Sequence, residues 1–311
     1  MTHGVLTKKS NGAIITMILV TIFLWGGSNA GTKFMVKDWP PVFVGSTRFL
    51  CAGWMLLGVL KWTNWLGPLN PLTPRQNRDL WLHGGLSLAL YIICFNWAMR
   101  FTTASHVALY LAMSPIWALW WDHPPAMSWR SAQRYAAAGL AFAGVAVLFW
   151  PSLRSGNSGW VGEVLGVTAS LLWVYFGRQC RALGSGLSGA EVSAHTMWRA
   201  GILMMPVAMI ELVKSTPVWR LDLVWVQAYC IVAGGVIAYA LWNNALRHWP
   251  TSRVFLFNNL VAPSTMAWAW LCLNEPVTRT FWAAMTLVIA GVLLGQARWE
   301  KILGSNWLPA E

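Results

Sequence analysis

The most informative stretch of this sequence is a pentapeptide that occurs twice in related form, as Asn96-Trp97-Ala98-Met99-Arg100 and, 147 residues later, as Asn243-Asn244-Ala245-Leu246-Arg247. The same offset of 147 residues relates Val107 to Val254 and Gly144 to Gly291. With one residue of slippage three further positions recur, namely Trp25 as Trp173, Lys33 as Arg181 and Gly53 as Gly201. These matches along two short alignments predict a chain built from two related halves.

The composition predicts that the chain lies in a membrane. Hydrophobic residues make up 57% and charged residues 10% of the sequence, whereas soluble domains carry about 25% charged residues. A bilayer core is crossed by roughly 20 apolar helical residues. Ten such stretches occur, at 12–35, 42–60, 80–99, 103–121, 132–150, 160–181, 191–212, 223–246, 252–273 and 279–297. They are continuous rather than alternating, which favours helices over strands.

We therefore expect an all-α integral membrane protein with ten transmembrane helices in two inverted five-helix repeats. A repeat with an odd number of crossings makes its second copy enter the membrane from the opposite side, which is a recurring construction of secondary transporters. The expected repeats cover 12–151 and 160–298. A cytoplasmic N-terminal segment, 1–11, and a cytoplasmic C-terminal tail, 299–311, are expected to flank them.

The basic residues set the expected orientation. The net charge is +12, and Lys and Arg are more frequent in the loops on one side of the predicted membrane. The positive-inside rule then places both termini in the cytoplasm. The same residues are spread over short loops with no binding module around them, so we expect contacts with membrane lipids and no nucleic-acid partner.

Nothing in the sequence predicts an enzyme. The five cysteines are scattered one to a predicted helix, without the paired spacing of a zinc site or a disulfide framework. The chain shows no nucleotide-binding loop and no nucleophile with a base at recognisable spacing. We therefore expect no catalytic residues, no metal and no cofactor.

Two motifs carry a resemblance to a known family. The run Leu24-Trp25-Gly26-Gly27-Ser28-Asn29-Ala30-Gly31-Thr32-Lys33, followed by Pro40-Pro41 and Arg48-Phe49-Leu50, resembles the opening of EamA-type members of the drug/metabolite transporter superfamily. Asn274-Glu275-Pro276 and Ala290-Gly291-Val292 resemble the end of a second EamA repeat. The resemblance implies ten helices in two EamA repeats, a bacterial inner-membrane location and the export of small metabolites such as amino acids.

Polar residues inside the spans are the candidate cargo ligands, because a charge at the bilayer centre costs about 2.5–3.5 kcal/mol even on the lenient insertion scale. Arg48 and Arg199 fall within the second and seventh predicted helices. Each is a candidate to bind a carboxylate of the cargo through its guanidinium fork. The alternative for both is a structural role, by reaching the interface or by pairing with helix-end carbonyls or Glu191.

Amides and aromatic rings complete the candidate binding site. An amide donates and accepts at once, which suits a polar metabolite, although hydrogen bonding between helices is the alternative. An indole within a span could stack on an apolar or cationic cargo, or only pack against its neighbours. The candidates are Asn29, Asn96, Asn243, Asn258, Trp25, Trp173, Trp242 and Tyr110. Prolines inside spans kink helices, and Pro115 and Pro263, at near-equivalent repeat positions, are the expected hinges.

The predicted function is secondary transport of a small polar or amphipathic organic metabolite, with export expected, by alternating access between the two repeats. The alternative is a non-transporting membrane subunit that binds lipid, pigment or another membrane protein. The glycine pairs Gly27 and Gly31, Gly162 and Gly166, and Gly291 and Gly295 predict close helix packing within the bundle. A homodimer through the fifth and tenth predicted helices stays open. The energy source also stays open, because Glu163, Glu191, Glu211 and Glu275 lie toward helix ends and leave His106 and His195 as the remaining titratable candidates.

Overall fold

The computed structural model describes residues 11–63, 66–122, 129–154, 159–184, 186–249, 254–255 and 257–296. All regular secondary structure within these ranges is helical. The predicted C-terminal tail and all but the last residue of the predicted N-terminal segment lie outside the described residues.

The helices follow the predicted stretches closely. Those of the first half are α1 (Asn11–Met35), α2 (Pro41–Trp62), α3 (Pro74–Phe101), α4 (Ala104–Leu111), α5 (Ser114–Asp122) and α6 (Trp129–Arg154). Those of the second half are α7 (Gly159–Leu183), α8 (Gly189–Lys214), α9 (Leu221–His248), a short 3-10 helix (Phe257–Leu260), α10 (Val261–Leu273) and α11 (Arg279–Gln296). Within the described residues, six of these helices are long and apolar enough to cross a membrane: α1, α2, α3, α7, α8 and α9.

Two of the predicted spans are interrupted. The fourth is broken at Ala112 and Met113 into α4 and α5, and in the ninth a short 3-10 helix precedes α10. Pro115 and Pro263 each lie in the first turn of the segment that follows the irregularity, where the missing amide of proline is tolerated. The two expected hinges thus lie beside helix interruptions, and their movement stays a prediction.

Local sequence signals explain several helix boundaries. Pro41 opens α2, and Ser188 caps α8 in a capping box with Glu191. Thr73 and Gln76 form the same arrangement at the start of α3. Asn274 ends α10 in the left-handed conformation, with φ of 53°, which asparagine adopts more readily than most residues.

Equivalent helices of the two halves pack against each other at the centre of the molecule. At the crossing of α2 and α8 a Cβ atom on Gly53 would lie 2.4 Å from the backbone nitrogen of Trp198. The reciprocal contact places a Cβ atom on Gly201 2.7 Å from the nitrogen of Leu50. Since Gly53 and Leu50 are the repeat equivalents of Gly201 and Trp198, these two contacts are related by a pseudo-two-fold axis. The pairing also shows that α2 and α8 run antiparallel.

Helices α6 and α11 repeat this arrangement at one side of the bundle. A Cβ atom on Gly144 would lie 2.8 Å from the carbonyl oxygen of Ala284, and one on Gly291 would lie 2.6 Å from that of Ala137. Both glycines of the repeat therefore serve packing within one chain. A homodimer through these two helices would have to use their remaining faces, and it stays a prediction.

The surface of the bundle is strongly apolar. Large hydrophobic side chains such as Phe23, Trp54, Val213 and Leu271 are more than half exposed. Apolar exposure on this scale is typical of surfaces that face membrane or partner proteins, and it agrees with the apolar helices. The polar side chains inside the bundle are therefore the candidates for a functional site.

Candidate functional site

A cavity lies among the helices that meet at the pseudo-two-fold axis. It encloses about 380 Å³ of space, including the part that opens to solvent. Eleven residues line it: Trp25 and Asn29 of α1, Arg48 of α2, Tyr91, Ile92 and Phe95 of α3, Leu111 of α4, Trp173 of α7, Tyr239 of α9, Asn258 of the 3-10 helix and Val261 of α10. Both halves of the chain therefore contribute walls.

Repeat-equivalent residues face one another across this cavity. Trp25 and its equivalent Trp173 both line it, and their rings meet edge to face with centroids 5.3 Å apart. The 147-residue offset also relates Leu111 to Asn258, and the Asn258 side-chain amide donates to the Leu111 carbonyl oxygen at 2.8 Å. The cavity thus lies on the axis that relates the repeats, which is where inverted-repeat transporters bind cargo.

Arg48 is the charged residue of the cavity wall. It is buried, and its Nη1 donates to Thr32 Oγ1 at 3.3 Å. Its Nε is buried without a hydrogen-bond partner. Within the described residues, no Asp or Glu oxygen lies within 4.0 Å of its guanidinium nitrogens. A buried cation without a carboxylate partner is costly, so its place in the cavity wall favours a negatively charged ligand group.

The backbone leaves room for this side chain at one point. A Cβ atom on Gly234 would lie 2.9 Å from Arg48 Nη2 and 2.4 Å from Ser28 Oγ. Gly234 belongs to the π-helical turn Cys230–Ile237 within α9, and such turns are frequent at functional sites. The absence of a side chain at this position lets α9 approach both α1 and the guanidinium.

Two asparagines add neutral polar groups to the wall. Asn29 lies one helical turn after Trp25 and donates to Thr265 Oγ1 of α10 at 3.0 Å. Asn258 makes the bond to Leu111 described above, directly before the break between α4 and α5. Both amides therefore join helices at the cavity. A change in the cavity can shift α4 and α10 through these two hydrogen bonds.

The rest of the wall is largely aromatic. Trp25 contacts Tyr239 with ring centroids 5.2 Å apart, and Trp173 contacts Tyr91 at 5.0 Å. The Trp25 indole donates to the Gly234 carbonyl oxygen at 3.1 Å. Aromatic walls favour apolar and aromatic ligand surfaces, so the cavity combines one cationic corner with an apolar body.

Five of the predicted site residues line this cavity together: Trp25, Asn29, Arg48, Trp173 and Asn258. The other five do not. Asn96 donates to the Pro41 carbonyl oxygen at 2.8 Å and Asn243 donates to Ser193 Oγ at 2.6 Å, so both amides join helices within the bundle. Their shared place in the repeat reflects equivalent packing, and we do not carry them into the proposed site.

Arg199, Tyr110 and Trp242 are also engaged elsewhere. Arg199 donates to Asn77 Oδ1 at 2.6 Å and lies with its guanidinium carbon 4.2 Å from the centroid of the Trp198 ring. The Tyr110 hydroxyl donates to Glu163. Trp242 is fully buried behind the cavity wall, with its ring 4.9 Å from that of Trp25. None of the three lines the cavity.

Two tyrosines and one phenylalanine of the cavity wall are not among the predicted site residues. Tyr91 and Phe95 lie four residues apart and so share one face of α3. Tyr239 is the repeat equivalent of Ile92, and both line the cavity. Because the equivalent of Tyr239 is the apolar Ile92, the repeat register gives no polar signal at this position.

We expect Asn96→Ala to destabilise the protein without changing its cargo selectivity. The variant removes the hydrogen bond from the Asn96 amide to the Pro41 carbonyl oxygen, and such a bond contributes about 0.5–1.5 kcal/mol to stability. Thermal unfolding in detergent should therefore start at a lower temperature, while relative affinities for a series of cargo compounds stay the same. A selective loss of one cargo class would instead place Asn96 in the binding site.

Comparisons with known proteins agree with this architecture. The model of the EamA-like transporter family matches the chain twice, at residues 12–150 and 160–295. A protein of Archaeoglobus fulgidus named as an uncharacterized transporter is 24% identical over 91% of this chain and 96% of its own length. The uncharacterized inner membrane transporter YedA of Escherichia coli is 26% identical over 76% of this chain and 74% of its own length.

The fold is also found among solved structures. One crystal structure superposes with a TM-score of 0.65, covering 92% of this chain and 98% of its own, at 17% sequence identity. At that identity the likeness concerns the fold.

Proposed function

Because this chain belongs to the EamA-like transporter family and is a multi-pass membrane protein rather than an enzyme, we propose that it moves a small organic carboxylate with an apolar or aromatic body across the membrane. An apolar amino acid has this chemistry. The proposed direction is export, as the family resemblance implies. The proposed location is the bacterial inner membrane, with both termini in the cytoplasm.

The observation that carries the proposal is Arg48. Its guanidinium is buried in the cavity wall, and within the described residues it lacks a carboxylate partner. A cargo carboxylate would accept charge-assisted hydrogen bonds from its fork, and these are about twice as strong as bonds between neutral groups. The aromatic wall around Trp25 and Trp173 would cover the apolar part of the cargo.

The packing of the helices supports alternating access between inverted repeats. The equivalent helices α2 and α8 run antiparallel at the axis, as two repeats of opposite orientation would. We propose that the two repeats cross the membrane ten times in total, with α4 and α5 forming one crossing and the 3-10 helix and α10 another. Rocking of one repeat against the other would then expose the cavity to each side in turn.

Equivalent basic residues join equivalent helices at the two ends of the bundle. Lys33 Nζ donates to the Thr102 carbonyl oxygen at 2.5 Å, and its equivalent Arg181 donates to the Trp249 carbonyl oxygen at 2.9 Å. Each contact ties the end of the first helix of a repeat to the end of the third. We propose that these two contacts break and form in alternation as the cavity opens to either side.

A ligand screen with matched compounds tests the proposed function. We expect leucine and phenylalanine to raise the apparent unfolding temperature of the detergent-purified protein, because a ligand that binds the folded state stabilises it. Their amides and the corresponding amines, which lack the carboxylate, should give little or no shift. Radiolabelled uptake into proteoliposomes should then show saturable flux of the stabilising compounds.

Two outcomes would contradict the proposal. Equal stabilisation by acids and amides would remove the carboxylate from the recognition chemistry. Binding without flux, or stabilisation by lipids only, would favour the alternative of a non-transporting membrane subunit.

A further inference from the structure

A second buried polar cluster lies apart from the cavity, where α3 ends and α4 begins. Glu163 of α7 is fully buried at its centre. Its Oε1 accepts from Thr102 Oγ1 at 2.8 Å and lies 3.0 Å from His106 Nδ1. Its Oε2 accepts from the Tyr110 hydroxyl. Three side chains at the α3–α4 junction thus converge on one carboxylate.

This arrangement suits an ionised carboxylate that is held away from water. Each of the three partners can donate a proton, and a carboxylate only accepts, so His106 carries its proton on Nδ1 in this contact. The Glu163 carboxylate is almost completely buried, while about a quarter of the His106 side chain is exposed. His106 therefore lies between the buried carboxylate and the surface.

The cluster occurs in one half of the molecule. The repeat register places Ile15 at the position of Glu163, Trp249 at that of Thr102 and Phe257 at that of Tyr110. Trp249 and Phe257 contact each other through their rings, with centroids 6.1 Å apart. The equivalent of His106 is Arg253, which lies outside the described residues. Among the described residues, the contact of Glu163 with Thr102 and Tyr110 at one end of the bundle thus corresponds to the aromatic contact of Trp249 with Phe257 at the other.

The cluster is connected to the cavity through α4. Tyr110, which donates to Glu163, directly precedes Leu111, which lines the cavity. The Leu111 carbonyl oxygen accepts from cavity residue Asn258 at 2.8 Å, and the helix breaks at the next residue. A change in the strength of the Tyr110–Glu163 hydrogen bond can therefore move both the cavity wall at Leu111 and the break between α4 and α5.

We propose that Glu163, His106 and Tyr110 form a proton-binding site through which the pH of the adjacent aqueous phase controls how the cavity opens toward that side. The inference rests on the transport function proposed above. A proton from the adjacent aqueous phase binds His106 Nε2, and the Nδ1 proton passes to Glu163 Oε1. The histidine is then neutral again as its other tautomer, and the carboxyl group is neutral.

Protonation changes how strongly α7 holds α4. The hydrogen bonds from Thr102 and Tyr110 to an anionic Glu163 are charge-assisted, whereas those to a neutral carboxyl group are roughly half as strong. Acidification on this side therefore loosens α4 and favours opening of the cavity toward the same side. Return of the proton by the reverse route restores the closed contact.

Other charged groups surround the same junction and enter the pH response. Lys33 of α1 donates to the carbonyl oxygens of Met99 and Thr102. Glu275, after α10, accepts from the backbone amides of Ala104 and Ser105 at the start of α4. Lys37 after α1 and Arg100 in α3 act electrostatically on Lys33, as does Glu275. Arg279 opens α11, which packs against α4.

Glu275→Gln is the matched control, because Glu275 also binds α4 at the same end of the bundle. The first test is infrared spectroscopy of the purified protein as the pH is lowered from about 7 to about 3, a range that spans the ordinary pKa of a glutamate carboxyl group. The carbonyl-stretch band of a buried protonated carboxyl group should grow in the wild type and in Glu275→Gln, and be missing from Glu163→Gln. An unchanged band in Glu163→Gln would overturn the proposal whether or not the cargo is known.

The second test measures flux of the stabilising amino acid in proteoliposomes with and without an imposed pH gradient. The wild type should be stimulated about tenfold, within the usual range of coupling between two sites. Glu163→Gln should keep exchange without a gradient and lose the stimulation. His106→Gln retains the Glu163 carboxylate but cannot relay a proton, so this variant should also lose the stimulation. It replaces Glu163→Gln in the test if Glu163→Gln does not fold.

The outcomes separate the two proposals. Stimulation retained in both variants would overturn control by protonation at this site. Absence of flux in the wild type would refute the transport function while the infrared result still decides whether Glu163 binds a proton.

Discussion

Arg48→Gln should weaken binding of a carboxylate cargo by about 10- to 100-fold, since a hydrogen bond to a charged group contributes about 1.5–3 kcal/mol. Arg48 is the charged residue of the cavity wall, with an unpartnered Nε and, among the described residues, no carboxylate within ion-pair distance. Glutamine keeps polarity and approximate length but removes the positive charge and the fork. The loss should therefore fall on acids, while the affinity for the matching amides changes little.

Three measurements test this prediction. Affinities for an amino acid and its amide are compared by thermal shift, and flux is measured for the acid. Arg48→Lys should give an intermediate result, because lysine keeps the charge but loses the bidentate geometry. Arg199→Gln is the matched control, since Arg199 is also buried but donates to Asn77 and His195 away from the cavity.

The stability of Arg48→Gln gives a second readout. Removing an unpaired buried charge should leave the unfolding temperature of the empty protein unchanged or raise it, because burying a charge is unfavourable. Equal loss of binding for acids and amides, together with a lower unfolding temperature, would mean that Arg48 is a structural residue.

Gly53→Ala and Gly201→Ala should each cause a large loss of folded protein. The added Cβ atom would lie 2.4 Å from the Trp198 nitrogen in the first variant and 2.7 Å from the Leu50 nitrogen in the second. Both contacts are with helix backbone, which cannot rotate away as a side chain can. Overpacking a tight interior typically costs about 1–3 kcal/mol, and more where the structure cannot relax.

The measurement is the yield of monodisperse protein in detergent and its unfolding temperature. Gly139→Ala is the control, because a Cβ atom at Gly139 in α6 meets nothing within 4 Å. The double variant of Gly53 and Gly201 should lose less than the sum of the single losses, because the two clashes lie at one crossing and are relieved by the same separation of α2 and α8. If Gly53→Ala behaved like Gly139→Ala, the close crossing at the pseudo-two-fold axis would be wrong.

Helix positions and the repeat could be predicted because their signals are local. Roughly 20 apolar residues in a row are readable as a span wherever they occur, and each predicted stretch is mainly helical over the residues that the structure describes. The breaks at Ala112 and Met113 and the π-helical turns of α3 and α9 could not be placed. Such irregularities depend on contacts with neighbouring helices as much as on the residues themselves.

Two pairs of residues show that the sequence alone does not decide which polar side chains line the cavity. Arg48 and Arg199 are both arginines within apolar spans, yet one lines the cavity and the other packs on Trp198. Asn29 and Asn96 are both amides within spans, yet only Asn29 lines the cavity. Successive helical residues are rotated by about 100°, because 3.6 residues complete a turn. Without knowing which face of each helix points inward, the sequence could not separate the members of either pair.

The sequence by itself determined that this protein is an α-helical membrane protein of two repeats and that it resembles the EamA family, because hydropathy and repetition are properties of the chain alone. Only the tertiary structure decided which of its polar side chains share a cavity. It also brought Glu163 together with His106 and Tyr110, 57 and 53 residues away in sequence. Such meetings depend on how helices rotate and cross, and packing between distant segments fixes both.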